Sequence, residues 1–345
     1  MLCSRRPTGL TFCASTALVT FFAVTFLYHI WNYDDRPASG AAQIALHEAA
    51  QPQPYHHTPI PTAPQAAQFP RPNSIPKKLW YKLGPNGLNN ETKEWTNSCI
   101  ESNPDYKHEF MDDNSSDWFV QKAFAHRPDL VDTYLNLSIP ILKADLLRYL
   151  LLFDKGGIWS DLDVACEGVP IDDWVPQKYK NNAGLVVGWE FDVGWGDNFI
   201  RQFTSWTIMA KPRLAHMAMV IDDILDGLKE KTEKNKVSLG ELTLDMVGDV
   251  VDITGPRRLT DSVLKSLEKM LGKKITIRDI SNLIEPKLVG DVLIMPGYSF
   301  AASSNTYGGR DLGGFQTAPP GAVLVTHHYA GTWKNDHGGE QPQKI

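Results

Sequence analysis

Apolar residues recur at two different periods along residues 75–335, and the alternation of these periods predicts the fold. Leu79-Trp80-Tyr81 and Tyr106–Met111 read as short strands, the second by its polar–apolar alternation. Glu91–Ser102 and Ser116–His126 carry helical spacing, the latter with Trp118, Phe119 and Phe124, and Pro128 opens another short helical stretch. From Lys143, Leu146, Leu147, Leu150 and Leu151 fall on one helical face. Gly156-Gly157 then stops the helix, because glycine takes positive φ without steric cost. Ile158-Trp159 starts a strand that runs to Asp161-Leu-Asp163. Leu185–Trp189, Val292–Met295 and Val323–Thr326 read as further strands, and residues 215–247 read as helical with a solvated Lys/Glu-rich stretch from Lys229 to Lys236. Strands alternating with helices predict an α/β domain, a mostly parallel sheet with helices on both faces. Ligands of such sheets bind beyond the carboxyl ends of the strands, where Asp161 and Asp163 fall.

The first 74 residues follow a different pattern. Residues 10–31 hold no Asp, Glu, Lys or Arg. That run can cross a bilayer core of roughly 30 Å at about 1.5 Å per residue. Arg5 and Arg6 precede it and Asp34 and Asp35 follow, so the positive-inside rule places residues 1–9 in the cytosol. A cleaved signal peptide is the competing reading, but the apolar core is long for one and no small-x-small site follows promptly. Residues 32–74 are rich in Pro, Ala, Gln and His and lack apolar periodicity, which predicts a flexible stem. His47, His56 and His57 are read as solvated stem residues. The expected organisation is a cytosolic tail (1–9), a transmembrane signal anchor (10–31), a stem (32–74), a catalytic domain (75–335) and a C-terminal tail (336–345).

A net charge of −6, with no basic patch carrying interleaved aromatics, argues against nucleic-acid binding. In the expected topology Cys3 is cytosolic and Cys13 lies in the span. Cys99 and Cys166 then face an oxidising lumen and can form one disulfide if their Cα atoms come close enough. Asn90-Glu-Thr, Asn114-Ser-Ser and Asn136-Leu-Ser are glycosylation sequons compatible with that compartment.

Asp161 and Asp163, two apart on an extended segment, would point the same way and repel unless a cation lies between them. Hard oxygen ligands suit Mg²⁺ or Mn²⁺, which also bind diphosphate. Asp145 and Arg148 lie one helical turn apart, so they form either a surface ion pair or a grip on a ligand. The strand before His327-His328 sends one imidazole to the site and the other to the opposite face, and a neutral imidazole is a good third ligand for Mn²⁺. Asp161 and Asp163 are too close together to flank a sugar as glycosidase carboxylates do.

The run Ala144-Asp145-Leu-Leu-Arg148-Tyr149…Gly156-Gly-Ile-Trp-Ser-Asp161-Leu-Asp163 resembles the signature of glycosyltransferases with a DxD sugar-binding region, closest to the fungal initiating α-1,6-mannosyltransferases. Ile75-Pro-Lys-Lys-Leu-Trp80 resembles that family's first strand, Thr254-Gly-Pro256 its Thr-Gly-Pro loop, and His327-His328-Tyr-Ala-Gly-Thr-Trp333-Lys334 its closing motif. The resemblance implies a GT-A-like fold and retaining transfer of mannose from GDP-mannose to N-glycans of glycoproteins at the Golgi membrane, with Mn²⁺ or Mg²⁺. It implies direct metal ligation by Asp163, contact of Asp161 with the ribose, the sugar or, through water, the metal, and one of His327 and His328 as a further ligand. Asp145, Arg148 and Lys334 would hold the donor and its diphosphate, Trp333 would cover it, and Trp80 or Tyr81 would stack on the base or else pack in the core. Glu190 and Asp192 would lie near the anomeric carbon, with Asp197-Asn198 in the acceptor region. Tyr298-Ser-Phe300-Ala-Ala departs from the family's Ser-Phe-x-Pro-Gly loop, which leaves the acceptor open. Two alternatives are hexosyl transfer to inositol phosphorylceramide and a silent scaffold subunit of a Golgi mannosyltransferase complex. Enzymes of the first kind usually carry further spans, and no second apolar run of about twenty residues occurs.

Overall fold

A computed structural model describes residues 74–196, 199–307 and 318–342. The expected anchor, nearly all of the stem, Cys3, Cys13, Asp197 and Asn198 lie outside these residues. Among the described residues no helix is long and apolar enough to cross a membrane.

The domain opens with strand β1 (Lys78–Lys82), helix α1 (Asn90–Glu101), strand β2 (Lys107–Met111) and helix α2 (Asp113–Ala123). Asn89 caps α1 through the Thr92 amide and Asp112 caps α2 through the Ser115 amide, each in a reciprocal capping box. The second cap explains why α2 begins three residues before the apolar pattern predicts. Pro128 and Pro140 open α3 (Pro128–Asn136) and α4 (Pro140–Asp154), where a missing N–H costs nothing.

Helix α4 is more deeply buried than one apolar face would require. Every residue from Asp145 to Phe153 is buried, because α4 lies between the sheet and the long helix α5 (Ala215–Asn235). It ends at Gly156 and Gly157, with φ of 65° and 104°. A Cβ on Gly157 would stand 2.7 Å from the Lys78 carbonyl oxygen, so the pair also lets β3 (Gly157–Ser160) seat against β1.

The remaining strands are β4 (Val164–Cys166), β5 (Leu185–Gly188), β6 (Thr207–Ala210), β7 (Lys287–Val289), β8 (Val292–Met295) and β9 (Val325–His327). Seven of them form one sheet in the order β2-β1-β3-β6-β5-β8-β7, and β4 pairs with β9 in a separate ribbon. The expectation of a mostly parallel sheet needs correction. β1 pairs in parallel with β2 and β3, and β5 with β8, but β6 and β7 are antiparallel to their neighbours. The sheet is mixed because β5 returns as β6, and β7 as β8, without crossover helices. Residues 215–247 are not one helix either: α5 stops at Lys236, whose φ of 56° is left-handed, and a 3-10 turn at Leu239–Glu241 precedes a short helix at Leu244–Val247.

One apolar layer packs α4, α5 and helix α6 (Pro256–Leu271) on the sheet face that presents Trp80, Trp159 and Ile208. The other face presents Leu79, Tyr81, Ile158 and Met209 to the β4/β9 ribbon and α1. There Cys99 of α1 and Cys166 of β4 form a disulfide with Cα atoms 4.8 Å apart, as the topology allowed. The Ser98 hydroxyl accepts from the Cys166 amide alongside it.

Candidate active site

β3 ends at Ser160, so Asp161 and Asp163 stand in the turn to β4 rather than on a strand. Strand alternation is therefore not what brings them together. The ribbon does so. Val164 pairs with His327, the His328 amide donates to the Asp163 carbonyl at 2.8 Å, and the Ala330 amide donates to Asp163 Oδ2 at 3.0 Å. His327 Nε2 then lies 3.3 Å from Asp163 Oδ1. One ligand atom each from Asp161, Asp163 and His327 falls within 4.8 Å of the others. Two carboxylates and an imidazole, gathered so closely, fit Mn²⁺ or Mg²⁺ and leave coordination positions for diphosphate oxygens. Burial alone would push the Asp163 carboxyl up, but the His327 ring and the Ala330 amide outweigh it and hold the group below the ordinary carboxylate value.

Of the two histidines, His327 is the one at the site. Its ring stacks on Trp206 at 4.2 Å and meets the edge of Tyr329 at 4.1 Å. His328 faces the other way and stacks on Trp95 of α1 at 4.2 Å, so its expected ligand role is not supported by its placement. Tyr329 holds a left-handed φ of 52°, a strained choice for a tyrosine, and its hydroxyl pairs with Ser304 Oγ at 2.8 Å.

Asp161 is gripped from the α4 side. Trp159 Nε1 donates to Asp161 Oδ1 at 2.6 Å and Arg148 Nη2 at 3.2 Å. The same Nη2 reaches Asp145 Oδ1 at 3.0 Å, and Asp145 Oδ2 accepts from the Thr254 hydroxyl at 2.8 Å. Tyr149 donates to the Thr254 carbonyl, so the Thr254-Gly-Pro loop is bolted to α4 twice. Asp145 and Arg148 do form the expected intrahelical pair, but a buried one, with side chains 5% exposed. Burial pushes the Asp145 carboxyl up. It works against the charge on Arg148, yet Asp161 and Asp145 outweigh it and keep the guanidinium protonated. Arg148 Nε and Nη1 are buried and have no hydrogen-bond partner among the described residues, while the guanidinium lies 5.1 Å from the Trp159 ring centre. Buried donors left over on a cation suit an anionic ligand such as a phosphate.

Glu190, directly after β5, is buried, and Gln202 Nε2 donates to it at 2.7 Å. Burial raises its carboxyl, while His327 and Lys334 partly counter that through their charges. Lys334 is exposed, with its ammonium 5.7 Å from the Trp333 ring centre. Trp333 packs against the core edge rather than standing free.

Three expected residues serve the scaffold instead. Asp192 is fully buried, and its carboxylate accepts from the Asn282 and Leu283 amides, so it clamps a loop. Trp80 is buried and donates to the Gly156 carbonyl. Tyr81 is fully buried and stacks on Phe110 at 4.9 Å, so neither aromatic is free to stack on a base. Trp159, Trp206, Tyr329 and Gln202 are the site residues that sequence reasoning missed. Trp159 and Trp206 read as core residues by their hydrophobic pattern, and only the fold shows what the polar atoms and ring faces of all four touch.

A family described as "Glycosyltransferase sugar-binding region containing DXD motif" matches residues 89–180, which include Asp145, Arg148, Asp161 and Asp163. An initiation-specific alpha-1,6-mannosyltransferase of Candida albicans is 33% identical over 308 residues, covering 80% of this chain and 77% of that protein. One of Schizosaccharomyces pombe is 33% identical over 289 residues, covering 81% and 69%. Among solved structures, the ligand-free glycosyltransferase domain from the YGT toxin matches at 11% identity and a TM-score of 0.40, covering 60% of this chain and 81% of that one. With the DxD pair in place and similarity to these mannosyltransferases extending over most of its length, the chain belongs to the DXD-containing glycosyltransferase family of the initiation-specific α-1,6-mannosyltransferases.

Proposed function

We propose that the protein is a metal-dependent, retaining α-mannosyltransferase that carries mannose from GDP-mannose to N-glycans, extending an outer chain in α-1,6 linkage. The observation that carries this reading is the meeting of Asp161, Asp163 and His327 beside a buried Arg148, two of whose donors have no hydrogen-bond partner among the described residues. Transfer breaks the bond between mannose C1 and a diphosphate oxygen. Negative charge grows on the leaving group while the sugar becomes oxocarbenium-like. A divalent ion held by Asp161, Asp163 and His327 would supply Lewis-acid stabilisation of the leaving diphosphate.

The chain's own groups do the rest. Arg148 offers Nε and Nη1 to the donor, and Asp145 fixes the guanidinium plane so that those donors are preorganised. Lys334 adds positive charge from the solvent side. Glu190 presents a carboxylate to the developing positive sugar, and Gln202 holds its rotamer. Retention and the identities of donor and acceptor follow from the family resemblance. In the same reading residues 10–31 anchor the protein in the Golgi membrane with residues 75–335 in the lumen.

The test is GDP-mannose turnover by the purified full-length chain with Mn²⁺, with and without an oligomannose acceptor. Mannose transfer that is abolished by a chelator and restored by Mn²⁺ is expected. Turnover of another nucleotide sugar in preference to GDP-mannose would refute the donor assignment. Protease protection of intact microsomes checks the topology: a C-terminal tag digested without detergent would reject it.

A further inference from the structure

Past Lys334 the described residues turn back and dock on the domain. The Lys334 amide donates to the Gly331 carbonyl at 2.9 Å, closing a turn that starts at Gly331, whose φ is 64°. Gly338 and Gly339 are then buried against the start of α4. The Ile141 amide donates to the Gly338 carbonyl at 2.9 Å, and a Cβ on Gly338 would stand 2.8 Å from Ile139 Cγ2. Further on, Asn86 Nδ2, from the loop beyond the carboxyl end of β1, donates to the Gln341 carbonyl at 3.0 Å.

One exposed side chain organises this segment. Asn335 Nδ2 donates to the Thr332 and Gly339 carbonyls, each at 2.9 Å. Its Oδ1 accepts from the His337 amide at 2.9 Å and from the Gly339 amide at 3.3 Å. Both ends of one carboxamide thus fasten the turn that carries Trp333 and Lys334 to the glycines resting on α4. At its other end the segment is tied to the site itself, where the Ala330 amide donates to Asp163 Oδ2. Lys334 therefore sits between two anchors, one on a candidate metal ligand and one about a single helical turn before Asp145. Its charge reaches Glu190, whose raised carboxyl it partly lowers.

We propose that Asn335 is a positioning residue that holds the Lys334 ammonium over the donor diphosphate. This rests on the glycosyltransferase reading above and adds how an exposed side chain is made to serve it. A lysine is a point charge on a long mobile stem, so its use to an anion depends on where its backbone is fixed. Without the Asn335 carboxamide the turn loses its fastening to Gly339, and Lys334 spreads over orientations that face solvent. The loss falls on ligand binding rather than on the core, because Asn335 and Lys334 are both exposed.

The experiment titrates the full-length chain in detergent calorimetrically with GDP and, separately, with inorganic pyrophosphate, both with Mn²⁺ and at two salt concentrations. Asn335→Ala should weaken both ligands about tenfold, the worth of one charge-assisted contact. It should also flatten the dependence of affinity on salt, since a charge has left the site. In a Lys334→Ala background the same change should add less than about twofold, because two residues that act through one contact are not additive. Gly338→Ala lifts the segment off α4 with Asn335 intact and should reproduce the loss, so it decides the question if Asn335→Ala does not fold. Wild-type affinity in either variant overturns the proposal. A further loss from Asn335→Ala that is just as large without Lys334, or a salt dependence unchanged from wild type, would make Asn335 structural only and also overturns it. Failure of the wild-type chain to bind either ligand does the same. A wild-type chain that binds pyrophosphate but not GDP would refute the GDP-mannose reading alone, since pyrophosphate still reads the contact with Lys334.

Discussion

Asp163 illustrates how one side chain can depend on a whole ribbon. Its carboxylate is oriented by His327 and by the Ala330 amide, both from the far end of the chain. Asp163→Ala should abolish transfer, because a charge and a coordination position vanish together and several kcal/mol of leaving-group stabilisation go with them. Asp163→Asn retaining more than about a tenth of wild-type turnover would contradict a direct ligand role. The two histidines provide an internal control. His327→Phe should lose Mn²⁺ binding and activity, whereas His328→Phe keeps a ring stacked on Trp95 and should keep most of its activity; equal losses in the two variants would count against the assignment. Arg148→Lys keeps the charge but cannot span Asp145 and Asp161 while also presenting two planar donors. Turnover should fall at least about tenfold, and because the pair is buried, the melting temperature should fall as well. Glu190 gives a pH signature. Burial raises its folded pKa, so the folded state binds its proton more tightly than the unfolded chain does. Stability from this group is present below the unfolded value of about 4.3 and is lost as pH rises through the folded value. Glu190→Gln should therefore raise the melting temperature at pH 7 while lowering turnover, and the gain should vanish at about pH 4. A gain independent of pH would exclude titration of Glu190 as its cause.

At the scale of elements, the sequence was informative where a local rule governs. Helical spacing, the Pro128 start and the Gly156-Gly157 stop place α1 to α4 within a few residues of their observed ends, whereas the caps at Asn89 and Asp112 went unread. The disulfide was legible only as a possibility, since proximity of Cys99 and Cys166 depends on α1 lying across β4. The direction of β6 was not legible: Thr207–Ala210 is a short apolar run whose pattern is the same for parallel and antiparallel pairing. The site was partly legible. Asp161, Asp163, Arg148 and one of two histidines were found by motif, but the choice between His327 and His328 needed the register of β9 against β4. Trp80 and Tyr81 were ambiguous because an aromatic in a strand reads the same whether it faces core or ligand. The disulfide closes a separation of 67 residues, which in the chain-entropy picture removes about 4 kcal/mol from the unfolded state. It also pins β4, the partner of β9. A Cys99→Ser/Cys166→Ser chain should melt lower and bind Mn²⁺ more weakly in calorimetry. Lower melting with unchanged Mn²⁺ affinity would show that the link stabilises the fold without shaping the site.

For the molecule as a whole, the division of labour between the two faces of the sheet matters most. The α4–α5–α6 face supplies Arg148 and Asp145 on a rigid, fully packed helix. The ribbon face supplies Asp163 from the turn before β4 and His327 from the short strand β9. In the proposed reading the donor-gripping groups therefore sit on the stiffer layer and most of the metal-binding groups on the lighter one. Hydrogen exchange should show this as slower exchange of α4 amides than of the β4/β9 amides, with Mn²⁺ and GDP closing the gap. Equal protection in the metal-free protein would remove the distinction.

The pairing of β9 with β4 has a consequence for the order of events during synthesis. All seven strands of the main sheet lie before residue 296, whereas His327 arrives about 30 residues later. A ribosome-bound chain can complete its sheet and its disulfide while it still lacks a metal site. A nonsense change between Pro296 and Phe300 removes β9 together with the buried Phe300, Leu324 and Val325, so its product should lack the metal site and also expose the ribbon face of the sheet.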